Sequence, residues 1–190
     1  MLYLVRHGQS TWNRDRRLQG QCPDPELTAL GREQVAAAAA VLAAEPPVDV
    51  VVSSDLLRAR QSAEIVAAGR PVVPDERLRE QHAGTLQGVG TDDALALLAG
   101  HDWTDPDLPL GGSGETPRQV YDRMADVLTA YRDRVAVLVS HGDAIRAALA
   151  WWCGHAPAAG PWVTVGSAAV FALDGPGTWR ELTAGTTPPG

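Results

Sequence analysis

Leu2-Tyr3-Leu4-Val5-Arg6-His7-Gly8 is the stretch on which the reading of this chain turns. Four apolar residues make a short buried strand, which delivers an arginine and a histidine side by side into the turn that follows. Turns after strands are where α/β folds place their chemistry. An arginine offers a planar fork of donors that suits phosphate, and a histidine can attack phosphorus or carry protons. Gly8 lets the backbone come close to a ligand.

The same pattern recurs twice. Val48 to Ser53 is a continuous apolar run of strand length, followed by Ser53-Ser54-Asp55-Leu56-Leu57-Arg58, with Arg58 in the first turn of a helix. Val135 to Ser140 is another buried strand, and Ser140-His141-Gly142 follows it before a helix from Asp143 to Trp152. In a parallel sheet these three strand ends share one edge, so two arginines and two histidines converge there. Helix N-termini and backbone N–H groups at that edge add affinity for an anion.

Between these motifs strands and helices alternate. An alanine-rich helix is expected over Gly31 to Ala44, ended by Pro46-Pro47, and a second from about Asp55 to Ala68 with Ser54 or Asp55 as N-cap. Pro71 to Pro74 reads as a short edge strand. Thr116-Pro117 opens a helix that runs to about Arg132. Val163 to Leu173 and Thr178 to Leu182 read as the last strands. The stretch at about 78–115 is rich in glycine and aspartate, with one short helix near Asp92 to Ala99, and reads as a lid. Alternation of this kind predicts a three-layer α/β/α sandwich with a mostly parallel central sheet. We expect one domain over residues 1–182, with 183–190 as a flexible tail.

Composition narrows the function. With 190 residues the chain can bury a full core. A net charge of −7 leaves no basic surface for a nucleic-acid backbone. All 16 basic residues are arginine, so any anion site is built from arginine, histidine and backbone N–H groups. Cys22 and Cys153 fit neither a disulfide framework nor a metal pattern. A strand-like run at residue 2 argues against a leader peptide, and no stretch is long and apolar enough to span a bilayer. The expectation is a cytoplasmic protein without nucleic-acid or membrane partners.

Taken together, Leu4 to Asn13, Ser54-Asp55-Leu56-Leu57-Arg58-Ala59-Arg60, Leu78-Arg79-Glu80 with Gly84 and Gly88 after it, and Ser140-His141-Gly142 resemble the histidine phosphatase superfamily, the phosphoglycerate mutase-like, two-histidine phosphatases. The resemblance runs from Leu2 to about Ala150 with its landmarks in order. It implies that His7 is the nucleophile, taking the phosphoryl group as a phosphohistidine. Attack needs a neutral imidazole, so the other ring nitrogen should donate to a backbone carbonyl. Arg6, Arg58 and His141 would hold the non-bridging oxygens, and Glu80 would protonate the leaving oxygen and then activate water. Asn13 adds a neutral hydrogen bond. Gly8, Gln19, Gly20, His82 and Gly142 complete the candidate substrate contacts. The arginines supply the positive charge, so neither a metal nor a cofactor is expected.

Each of these residues taken singly has an ordinary structural alternative. Arg6 and Arg58 could be surface salt-bridge partners, His141 a satisfied histidine at a helix start, and Glu80 a solvated loop carboxylate. Trp151-Trp152 reads as core packing, His101 and His155 as loop histidines, Glu115 as a supporting residue, and Trp103 as a residue of the lid that lines the pocket.

The substrate expected is a small-molecule phosphomonoester and the reaction is hydrolysis. From Glu80 to Pro117 the chain has no arginine or lysine but seven acids: Glu80, Asp92, Asp93, Asp102, Asp105, Asp107 and Glu115. Such a lid would repel a polyanion, which favours a neutral or cationic leaving group over the carboxylate-bearing substrate of a mutase. Arg14, Arg16 and Arg17 on the loop after Asn13 point the other way, toward a second anionic group. The alternatives are a phosphoglycerate mutase-type transferase, and a phosphohistidine protein phosphatase or binding module. A complete catalytic set speaks for an enzyme.

Overall fold

Side chains alternate across a strand, and the first strand shows what that alternation builds. In β1 (Leu2–Arg6), Leu2 and Leu4 join one apolar cluster, with Met124, Leu128 and Ile145, while Tyr3 and Val5 join another, with Val35, Ala59 and Ala63. A strand with a core on each face belongs in the middle of a three-layer sandwich. In the computed structural model, which describes residues 1–183, that is where it lies.

The remaining elements are α1 (Thr11–Arg14), α2 (Ala29–Leu42), β2 (Val50–Ser53), α3 (Leu57–Ala67), β3 (Val72–Pro74), α4 (Thr91–Leu97), α5 (Pro117–Tyr131), β4 (Ala136–Ser140), α6 (Gly142–Trp152), β5 (Val170–Gly175) and β6 (Thr178–Thr183). They form one sheet in the order β3-β2-β4-β1-β5-β6. The first four are parallel, β5 runs antiparallel to β1, and β6 antiparallel to β5. The apolar sides of α2 and α3 cover one face, those of α5 and α6 the other. The proline-bounded β3 takes the edge, as expected. Beyond residue 183 the expected tail lies outside the described residues.

Caps set two helix starts. Thr28 Oγ1 accepts the Gly31 N–H at 3.0 Å, and Thr116 forms a reciprocal box with Gln119 ahead of Pro117. At α3 the expectation fails. The N-cap is Leu56, with no side-chain cap. Asp55 is engaged with Arg79, and Ser54 faces His141 at 2.9 Å. The last pair of strands also starts later than expected. Residues 163–169 are not strand: Ala168 has φ of 60°, and the carbonyls of Val163 and Val165 accept from Arg146 and Arg6 rather than from a neighbouring strand.

The lid carries its own small cluster of Ala83, Leu86, Ala94 and Leu110, against Leu18, Val89 and Leu98. Main-chain bonds join it to the loop after α1, at Leu18 N–H to Val89 O, Gly88 N–H to Leu18 O and Thr91 N–H to Arg16 O. No helix among the described residues is long and apolar enough to cross a membrane.

Candidate active site

Register brings the motifs together. Arg6 pairs with Ser140 across β1 and β4, and His7 N–H donates to Ser140 O, so the two Arg/Ser-His-Gly turns leave the sheet side by side. The His7 and His141 rings meet edge to face with centroids 5.0 Å apart. From the next strand over, Ser54 N–H donates to Val139 O, and α3 then carries Arg58 back beneath the histidines. Ser140 Oγ donates to Leu78 O at 2.7 Å, which brings the Glu80 loop to the same edge.

His7 is buried, with Nδ1 2.7 Å from Gly8 O. A carbonyl only accepts, so Nδ1 holds the proton and the lone pair is on Nε2. Burial pushes the imidazole well below its ordinary value, and Arg58 and Arg6 add to the effect. The ring is therefore neutral at physiological pH. His141 is lowered likewise, by burial first and then by Arg58 and His7. Ser54 Oγ accepts from Leu56 N–H and lies 2.9 Å from His141 Nε2. In the tautomer in which Ser54 Oγ donates to Nε2, Nδ1 carries the proton.

Arg58 is fully buried and is the largest side chain to be so. Its Nη1 and Nη2 donate to Cys22 O and Gly20 O, and burial lowers it to about 10. Arg6 Nη1 donates to Val165 O at 2.6 Å. Neither arginine pairs with a carboxylate among the described residues, which removes the salt-bridge alternative. Three buried nitrogens are without partners among the described residues: Arg6 Nε, Arg58 Nε and His141 Nδ1. The two arginine nitrogens are donors, as Nδ1 is in that tautomer, and buried donors call for an acceptor. An oxyanion fits that set.

Glu80 caps α6 from outside the helix. Its Oε1 accepts from the N–H groups of Gln81, Asp143 and Ala144 at 3.0 to 3.1 Å. Burial nevertheless raises its proton affinity, and the neighbouring Asp143 raises it further. Oε1 is fully occupied, so Oε2 is the oxygen free to hold a proton.

A cleft of about 200 Å³ borders this centre, lined by Arg6, Asn13, Gln19, Gly20, Glu80 and Gly142 and also by Arg17, Thr91, Asp143 and Arg146, while His7, Arg58 and His141 lie outside its lining. Asn13 Oδ1 accepts from Ser10 N–H in a capping box, which leaves Nδ2 for the cleft. Gln19 is held through Oε1 by Ser10 Oγ. Gly8 has a packing role: its N–H donates to Ser62 Oγ, and a Cβ there would lie 2.2 Å from Gly31 O. His82 lies outside the lining, with Nδ1 turned to Gly84 N–H. Trp103 is also outside it, exposed and packed edge-on against His101.

The acids of the lid are placed differently from what their number suggested. Of the seven only Glu80 lines the cleft. Asp92 pairs with Arg16, Asp107 with Arg118 and Glu115 with Arg123. Arg14 is taken by Asp15, so of the three loop arginines only Arg17 reaches the cleft. Sequence reasoning missed Arg146, one turn into α6, whose guanidinium lies 4.1 Å from the Trp162 ring and pairs with Asp143. It also missed Arg123, Gln21 and Ser54, which carry no local signal because their partners are distant in sequence. Among the described residues no group of three or more His, Cys, Asp and Glu is arranged to hold a metal ion.

Residues 2–183 match the family described as histidine phosphatase superfamily (branch 1). Over 161 residues the chain is 40% identical to the glucosyl-3-phosphoglycerate phosphatase of Mycolicibacterium vanbaalenii, which spans 77% of this chain and 71% of the relative. It is 37% identical to phosphoglycerate mutase-like protein 4 of Arabidopsis thaliana, over 76% of this chain and 67% of the relative. A solved mycobacterial glucosyl-3-phosphoglycerate phosphatase in complex with VO3 superposes with a TM-score of 0.73 at 35% identity, covering 90% of this chain and 92% of that one.

Proposed function

The chain belongs to the histidine phosphatase superfamily, and on that premise we propose that it hydrolyses a small-molecule phosphomonoester through a phosphohistidine on His7. The observation that carries this reading is the buried neutral His7, its Nδ1 committed to Gly8 O, beside three buried unpartnered nitrogens on Arg6, Arg58 and His141.

The chemistry follows from the geometry. The Nε2 lone pair attacks phosphorus, and the bond from phosphorus to the leaving oxygen breaks. The electron pair goes to that oxygen, which takes the proton from Glu80. Arg6, Arg58 and His141 hold the three non-bridging oxygens as charge shifts among them. Water then attacks the phosphohistidine, gives its proton to Glu80, and the P–N pair returns to the ring. Inorganic phosphate leaves. Two arginines beside the phosphoryl group supply the positive charge that a divalent cation would otherwise bring.

Because six of the lid's seven acids lie outside the cleft lining, they set no barrier to an anionic leaving group. Arg17 and Arg146 line the cleft, balanced in part by Asp143. The small cleft suits a leaving group of a few carbons, and a carboxylate on it is tolerated. That keeps the mutase reading alive, because a mutase must retain such a group between transfers. Product analysis with 3-phosphoglycerate separates the two: orthophosphate supports hydrolysis, and 2-phosphoglycerate supports transfer.

The direct test is p-nitrophenyl phosphate hydrolysis in EDTA, compared with His7→Ala. We expect a loss of at least about 10³-fold in the variant, with a labelled phosphohistidine trapped only in the wild type. Equal rates would remove His7 as nucleophile. Inhibition by EDTA would remove the metal-independent mechanism.

A further inference from the structure

Glu80 sits in a segment with almost no regular structure. Residues 76–78 form one 3₁₀ turn, and the next turn begins at Gly84. A general acid needs its carboxyl held to a fraction of an ångström, and a bare loop does not do that. Besides the Ser140 contact at Leu78 O, the loop is held by one arginine from α5, the helix it packs against. Arg123, midway along α5, commits all five of its N–H groups. Nη1 donates to Arg77 O at 2.8 Å and Arg79 O at 2.6 Å. Nη2 donates to Glu80 O at 3.0 Å and Glu115 Oε2 at 2.9 Å, and Nε donates to Glu115 Oε1 at 2.8 Å. Contacts to the carbonyls of Arg77, Arg79 and Glu80 thus fix the main chain before Glu80 and at Glu80 itself.

The second half of the clamp ties that segment to the phosphate end of the site. Glu115 Oε2 also accepts from His82 N–H and from Gln21 Nε2, and Gln21 Nε2 lies 2.9 Å from Glu80 O. Gln21 stands between Gly20 and Cys22, the two residues whose carbonyls hold Arg58. Neither Arg123 nor Glu115 lines the cleft.

We infer that Arg123, with Glu115 as its counter-ion, is a positioning residue that sets the Glu80 carboxyl against the leaving oxygen and couples it to the loop that holds Arg58. The inference rests on Glu80 being the general acid. It asks nothing of Arg123 as a phosphate ligand.

Leaving-group dependence tests it, read in kcat/KM because that quantity stops at the first half-reaction. Nitrophenolate departs without a proton, whereas an alkoxide needs one. Arg123→Lys keeps the charge but cannot bridge three carbonyls and a carboxylate. For this variant we expect kcat/KM on glycerol 3-phosphate to fall about 10- to 100-fold, and that on p-nitrophenyl phosphate to fall less than about threefold. Glu115→Gln should move both substrates in the same sense by less. In the double variant with Glu80→Gln, Arg123→Lys should add no further loss on glycerol 3-phosphate, since both act through one group.

Equal losses on the two substrates, or losses that multiply in the double variant, would overturn the inference. If Arg123→Lys fails to fold, as shown by lost circular dichroism and lost nitrophenyl activity, the cycle of Glu115→Gln with Glu80→Gln decides in the same way. If Glu80→Gln alone shows no leaving-group dependence, the general-acid reading fails first, and the Arg123 inference falls with it.

Discussion

At the residue scale the proposed mechanism asks each group of the candidate site for one protonation state. His7 is neutral because burial and two arginines disfavour the imidazolium, and the Gly8 carbonyl chooses which nitrogen keeps the proton. Glu80 is pulled both ways: three N–H donors favour the carboxylate, while burial and Asp143 favour the acid and prevail. The sign for activity follows. Hydrolysis of an alkyl phosphate should decline as pH rises through the raised Glu80 value, and stay level on the acid side until His7 is protonated well below its ordinary value. Glu80→Gln should remove the alkaline decline. It should lower kcat/KM on alkyl phosphates by about 10²- to 10⁴-fold, while p-nitrophenyl phosphate is little affected. A pH profile measured on the two substrates checks both statements. Arg6, His7, Arg58 and His141 were legible because each lies at a strand end or in the first turn of the helix that follows one. Arg123 and Arg146 were not, since an arginine inside an amphipathic helix looks the same whether it faces water or a carbonyl.

At the scale of elements, the turn that bears His7 is seated directly on the first turn of α2. A Cβ on Gly8 would come 2.2 Å from Gly31 O, and one on Gly31 would come 2.1 Å from Gln9 O. Both positions need glycine for close approach rather than for a special φ. Gly8→Ala should therefore destabilise the protein by about 1–3 kcal/mol, read as a lower urea midpoint with unchanged m. It should also lower activity, because the carbonyl that fixes His7 belongs to the same residue. A variant of wild-type stability and activity would show that α2 gives way without cost. Sequence signals were reliable for elements with a local cause, such as the Thr116 cap and the proline-bounded edge strand β3. They misled where a tertiary partner took the group over. Ser54 left the cap of α3 for His141, and Asp55 left it for Arg79. The apolar run from Val163 gave its carbonyls to Arg6 and Arg146 instead of to a strand.

At the scale of the whole molecule, two buried histidines make the fold sensitive to mild acid. Both have folded values below the unfolded one of about 6.5. In that window the unfolded chain binds more protons, so stability falls as pH falls below about 6.5, by about 1.4 kcal/mol per pH unit for each histidine. The raised Glu80 opposes this between its unfolded value and its raised folded one. Carboxylates held below their ordinary values, such as Asp55 beside Arg79, add their loss lower still. Urea midpoints should thus drop between pH 7 and 5. Replacing both His7 and His141 by glutamine should flatten that drop, and an unchanged slope would show that the histidines titrate freely in the folded state. The sequence by itself determined the three-layer class, the sheet edge where the candidate site lies and the four residues gathered there, because period-two burial and strand-end placement are local patterns. Tertiary structure alone decided which way the lid's acids face, which donors lack a partner, and that an arginine from α5 clamps the Glu80 loop. Those depend on contacts between residues far apart in the chain, and no local pattern encodes them.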